Sequence, residues 1–131
     1  MNVGIVGLGL IGGSMAKSIK ARTADTVWGV DLNHETMTLA RMCGAIDAPL
    51  TEENIPQCDI LLIAIRPAAA IEWVKRHAPL IAKSAIVVDL CGVNRVVVGG
   101  IANAGKVAVV IGFVVLLAIS LLNSRKEAAK V

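Results

Sequence analysis

The sequence predicts an α/β fold: a parallel sheet with helices packed on both of its faces. Three observations predict it. Short apolar runs alternate with helix-like stretches from residue 2 to about residue 98. Each run is apolar throughout, the mark of strands buried on both faces. The first run ends in glycine and the second in an acid, where a strand gives way to a loop.

The elements follow in order. "NVGIVG" (2–7) reads as the first strand. From Leu10 to Arg22, Ile11, Met15 and Ile19 recur every four positions while Lys17, Lys20 and Arg22 fall opposite, so this stretch is an amphipathic helix. "TVWGVD" (26–31) is a second strand, and residues 35–43 are helical in pattern, with Asn33 or His34 just before them. "CDILLIAI" (58–65) is a third strand. Pro67 opens a helix through Ile71 and Val74 towards His77, since proline suits a first helical turn. "AIVVDL" (85–90) is a fourth strand. The composition breaks near residues 99–106, which divides the chain into a domain over 1–98 and a tail over 99–131.

With 131 residues, the chain is long enough for one sheet and its covering helices. A net charge of +3 arises from 13 basic and 10 acidic side chains that form no stripe. With one Phe, two Trp and no Tyr there is no aromatic interleaving, so nucleic acid is excluded as a partner. Cys43, Cys58 and Cys91 are an odd number without C-x-x-C spacing. They argue against disulfides or a zinc site, fit a reducing cytoplasm, and read as small buried apolar residues. The N-terminus lacks the basic segment of a signal peptide. His34 and His77 have no metal-ligating neighbours at useful spacing and read as surface residues.

The strongest chemical signal is "GLGLIGGS" (7–14), which holds Gly7-x-Gly9-x-x-Gly12 between a strand and a helix. Gly7 permits the tight turn, Gly9 lets backbone approach a pyrophosphate, and Gly12 lets the helix pack on the strand. The N–H groups of the first helical turn, at Leu10 and Ile11, face the phosphates with the positive end of the helix dipole. Asp31 ends the second strand, placed to accept hydrogen bonds from both hydroxyls of an adenosine ribose. Leu32 and Asn33 offer no arginine for a 2′-phosphate, which favours NAD over NADP. The chain thus reads as a Rossmann-type dinucleotide-binding domain. Ile65 and Arg66 end the third run on the same edge. Arg66 either reaches the pyrophosphate or a substrate carboxylate, or is a solvated residue at a helix start. Asp89 either shapes the nicotinamide end of the cleft or caps the next turn.

"MNVGIVGLGLIGGSMAKSIK", "WGVD", "CDILLIAIRP" and "IVVDLCGVNR" together resemble the N-terminal half of prephenate and arogenate dehydrogenases, over about residues 1–98. The resemblance implies hydride transfer from prephenate to NAD with loss of carbon dioxide, giving hydroxyphenylpyruvate in tyrosine biosynthesis. In that family a histidine in a loop reading roughly "GGHPMAG" polarises the ring hydroxyl. Here "GGIANAG" (99–105) keeps the flanking glycines, but Ile101 and Ala102 stand where that histidine and proline would be. The stretch also comes early, so the match at small residues is open to coincidence. No catalytic residue is assigned, and the helical half that completes the family's substrate pocket and dimer is not seen. The expectation is a truncated oxidoreductase domain that binds the dinucleotide and does not complete the reaction alone.

Residues 107–122, "VAVVIGFVVLLAISLL", are apolar apart from Gly112 and Ser120. They read as an appended apolar helix, and three fates stay open. It inserts in a membrane with Arg125 and Lys126 on the cytoplasmic side, making the chain a tethered, non-catalytic dinucleotide sensor. Alternatively "KVAVVIGF" forms one more buried strand and "VLLAISLL" a helix packed on the sheet. The third reading is a tail with no selected function.

Overall fold

The computed structural model describes residues 1–90 and the backbone strand Ala108–Ile111. Six strands form one sheet: β1 (Asn2–Val6), β2 (Thr26–Val30), β3 (Ala48–Pro49), β4 (Ile60–Ile63), β5 (Ile86–Asp89) and β6 (Ala108–Ile111). Three α-helices accompany them: α1 (Leu10–Arg22), α2 (His34–Met42) and α3 (Pro67–His77). The strand order is β3-β2-β1-β4-β5-β6, and each neighbouring pair is parallel. The chain thus moves outward from β1 in one direction, returns, and moves outward in the other. That reversal leaves a crevice beside the carboxyl ends of β1 and β4, where open parallel sheets take ligands.

The two-residue period of the strands sorts their side chains between two cores. On one face Val6, Leu61, Ile63 and Val87 pack with Ala70 and Val74 of α3. On the other, Val3, Ile5, Val27, Leu62 and Val88 pack with Ala16 of α1 and Ala40 of α2. Helices on both faces are what the uniformly apolar strands require. In α1 the buried positions are Gly12 and Ala16, flanked by Met15 and Ile19, whereas Ile11 is 55% exposed. Ile11 therefore leaves the apolar stripe expected of it, because the small residues bring the helix axis close to the sheet.

β3 escapes the sequence reading. It is two residues long, and Pro49 cannot donate to a further strand, which suits the edge position. Behind it a short 3₁₀ turn, Ile55–Gln57, buries Ile55 against the α3-side core. Cys58 is buried there as expected, and burial with the neighbouring Asp59 pushes its thiol up to about 11. Cys43 corrects the same expectation: it caps the end of α2 and is exposed, because it comes before the turn at Gly44 that brings Ala45 and Ile46 back into the core. Cys91 lies outside the described residues.

The tail divides. Ala108–Ile111 pairs with β5 in register, Ile86 opposite Ala108 and Asp89 opposite Ile111. These four residues are a strand, not the opening of an apolar helix, because their aliphatic run finds a parallel partner at the open side of β5. The remainder of the expected helix over 107–122 lies outside the described residues. Among the described residues no helix is long and apolar enough to cross a membrane.

Asp47 ties three segments together at the opposite edge of the sheet. Its carboxylate accepts the Val27 N–H at 2.7 Å and lies 3.0 Å from the Lys20 ammonium of α1. The Val27 hydrogen bond is the largest effect and holds its carboxyl below its ordinary range; burial opposes it, and Lys20 adds to the lowering. A carboxyl lowered in the folded state stabilises above its unfolded-state pKa, and that contribution is lost as pH falls through the folded value. Asp47→Asn is therefore expected to melt below the wild type near neutral pH. The gap should narrow as pH falls through and below the ordinary carboxylate range, in thermal unfolding followed by circular dichroism.

Candidate functional site

The site is built where β1, β2 and β4 end. The chain leaves β1 at Gly7, whose φ of +90° belongs to glycine, and Gly7 N–H donates to Val30 O at 2.8 Å. A Cβ on Gly7 would lie 2.4 Å from Ala64 O and 2.7 Å from the Ile65 side chain. A Cβ on Gly12 would lie 1.8 Å from Gly7 O. Both glycines are therefore demanded by the fold: they let the loop and α1 lie directly on the end of β4.

Gly9 differs. Its backbone is extended (φ −70°, ψ −154°) and exposed, and a Cβ there would meet no atom of the described residues within 4 Å. No described residue requires glycine at this position. The missing side chain leaves open space directly before the first turn of α1.

That turn is bare among the described residues, and α3 also lacks a side-chain cap and a first-turn acid. α1 has no side-chain cap and no acid in its first turn, and Leu10 and Ile11 stand 89% and 55% exposed. By contrast α2 starts conventionally, with Asn33 Oδ1 accepting the Thr36 N–H at 3.0 Å and Glu35 in its first turn. Helical geometry leaves the first N–H groups of α1 without intrahelical acceptors, and the dipole adds about half a positive charge. Lys20 and Arg22 in the last turn complement the other end. The arrangement suits an anion approached by backbone.

Asp31 follows β2 and is half-buried beside the loop. Its Oδ2 accepts Leu8 N–H and its Oδ1 accepts Asn33 N–H, each at 2.8 Å. The sequence reading anticipated a ribose acceptor and missed these two backbone bonds. Each oxygen retains a second lone pair for an outside donor. Leu32 is exposed, and Asn33 is held as the α2 cap, so neither brings a cation to the acid.

Ile65 and Arg66 lie at the mouth of β4, where the Ile65 side chain sits beside Gly7. Ile65 is partly buried against the α3-side core, and Arg66 is the exposed N-cap residue of α3. The structure thus brings Gly7, Gly9, Leu10, Ile11, Gly12, Asp31, Ile65 and Arg66 to one edge. Asp89 ends β5 on that edge and is 2% exposed, and the turn after Leu90 lies outside the described residues. "GGIANAG" (99–105) lies outside them as well. His34 is exposed at the start of α2, and His77 is half-buried, stacked on Trp73 with ring centroids 4.2 Å apart.

A glycine loop between β1 and an uncapped α1, an acid after β2 and a strand-order reversal beside them define a dinucleotide-binding α/β domain. The family model for the prephenate dehydrogenase nucleotide-binding domain matches residues 15–113, about three quarters of the chain. The chain belongs to that family. The match begins after the glycine loop, so the loop is independent support, and it continues through β6. Among solved structures, the chain is similar to prephenate dehydrogenase from Aquifex aeolicus in complex with hydroxyphenyl propionate and NAD+. It is 26% identical, with a TM-score of 0.75 over 85% of this chain and 40% of that one. A second structure of the Aquifex aeolicus enzyme gives 26% identity and a TM-score of 0.74, over 83% and 41% of the two chains. Synechocystis arogenate dehydrogenase shares the fold at 23% identity and a TM-score of 0.73, over 79% and 37%. The chain therefore spans about two fifths of the length of these enzymes. No curated protein matches it.

The three glycines separate in a stability experiment. Gly12→Ala is expected to cost about 3 kcal/mol, because a backbone oxygen must move, lowering Tm by roughly 10 °C. Gly9→Ala should leave Tm within about 2 °C of wild type. Differential scanning calorimetry of the variants checks both.

Proposed function

We propose that this chain binds NAD, as the coenzyme-binding domain of an oxidoreductase of the prephenate dehydrogenase type. The observation that carries the reading is Gly9, a glycine that no described residue requires. It opens the space in front of a bare helix N-terminus. A pyrophosphate brought close to backbone there supplies the missing reason. The family membership and the NAD+ bound to the similar Aquifex aeolicus enzyme support it.

In this reading the Leu10, Ile11 and Gly12 N–H groups hold the pyrophosphate. The remaining lone pairs of Asp31 accept the adenosine ribose hydroxyls, and its negative charge repels a 2′-phosphate, so NAD is preferred to NADP. Arg66 contributes positive charge from the β4 side, and Ile65 offers an apolar wall. Bound NAD would supply hydride acceptance, which in the family's reaction accompanies decarboxylation of prephenate to hydroxyphenylpyruvate and carbon dioxide. Substrate choice between prephenate and arogenate, and catalysis itself, are proposed for the family's two-part architecture, with this domain holding the coenzyme. Residues 7–12, Asp31, Ile65 and Arg66 bind and orient, and none of them is assigned a proton-transfer role.

Isothermal titration of the chain with NAD and NADP tests the reading. NAD is expected to bind more tightly than NADP. Gly9→Val should remove NAD binding while leaving the melting temperature nearly unchanged. Asp31→Ala should weaken NAD by about tenfold, as expected for lost charge-assisted hydrogen bonds, and narrow the gap to NADP. A wild-type chain that folds and binds neither dinucleotide overturns the proposal.

A further inference from the structure

The hydrogen bonds of Asp31 give this residue a second task, and the inference rests on the dinucleotide reading above. Leu8 lies between Gly7 and Gly9, at the centre of the loop. The backbone alone fastens Gly7, through Val30 O at 2.8 Å. Fastening Leu8 needs a side chain, and Asp31 Oδ2 supplies the acceptor at 2.8 Å. The other oxygen takes Asn33 N–H at 2.8 Å, and Asn33 in turn caps α2 through Thr36 N–H. One carboxylate therefore links the glycine loop to the start of α2.

We propose that Asp31 is a positioning residue for the phosphate-binding loop, independently of any bond to ribose. It fixes the Leu8 peptide and so sets where Gly9 and the first turn of α1 present their N–H groups. The chemistry of the link is specific to a carboxylate. Asparagine has the same shape but only one acceptor oxygen, so its amide group would turn N–H towards one of the two backbone donors. Asp31→Asn must release either Leu8 or Asn33. The sign of the effect separates this role from simple electrostatics. Removing a negative charge beside a pyrophosphate favours its binding, whereas a misplaced loop opposes it.

The test uses NAD and an NAD analogue whose adenosine ribose lacks both the 2′ and 3′ hydroxyls, so that ribose bonds to residue 31 cannot form. Asp31→Asn is expected to bind this analogue about tenfold more weakly than the wild type does, the loss of a hydrogen bond to a charged acceptor. Equal or tighter binding of the analogue by Asp31→Asn overturns the proposal. A second measurement needs no variant: amide hydrogen exchange at Leu8 in the wild-type chain without coenzyme. Slow exchange supports the anchor, and exchange at the rate of an open loop amide overturns it. If the wild type fails to bind NAD, the dinucleotide reading falls, and the Leu8 amide still decides the anchor.

Discussion

Two carbonyl oxygens, Ala64 O at the end of β4 and Gly7 O in the first loop, govern how closely the upper edge of this sheet can be assembled. Neither leaves room for a Cβ opposite it, at 2.4 Å from position 7 and 1.8 Å from position 12. With glycine at both places, α1 starts directly above the junction of β1 and β4. Its uncapped first turn then faces the crevice created by the reversal of strand order. A larger residue at either position would push the helix start away from the sheet, and the N–H groups would no longer converge on one point. Close packing of backbone on backbone thus comes first, and the electrostatic character of the site follows from it.

The rest of the architecture holds that junction in place. β1 and β4 lie in the middle of the sheet, and their side chains divide between the α3 core and the α1–α2 core. Both cores use small helix residues, Ala70 on one face and Ala16 and Ala40 on the other, so the helices lie near the strands. The edge strands contribute less to the site. β3 shapes the outer border beside β2, and β6 extends the sheet beyond β5. The end of the sheet that carries Asp47 and Lys20 fastens α1 at its last turn, far from the ligand edge.

The strands that cross the core were legible because burial on both faces leaves an uninterrupted apolar run, as in "ILLI" and "IVVD". α3 was legible from Pro67 at its start, and α1 from the glycines before it. β3 was not, because two residues at an edge need neither periodicity nor apolarity. Pro49 gave a signal of an edge, but "DAPL" reads equally as a turn. The glycine pattern also pointed to the site, yet it treated three glycines alike. Only the folded loop separates Gly7 and Gly12, which packing demands, from Gly9, which no described residue demands. Asp31 was found through its place after β2, while its bonds to Leu8 and Asn33 depend on a loop conformation that spacing does not reveal. Cys43 was misread because cysteine is usually buried, and its place on the outer end of α2, before the chain re-enters the core at Ala45, leaves no mark on the residue itself.

The central claim is that the space in front of Gly9 and the first turn of α1 receives a pyrophosphate. Backbone amide NMR shifts during a titration with NAD test it most directly, since each N–H reports its own environment. The account predicts the largest changes at Gly9, Leu10, Ile11 and Gly12, with smaller ones at Asp31 and Arg66 and none at Asp47 or Thr51. Saturable changes centred elsewhere, with the loop amides unmoved, would contradict it.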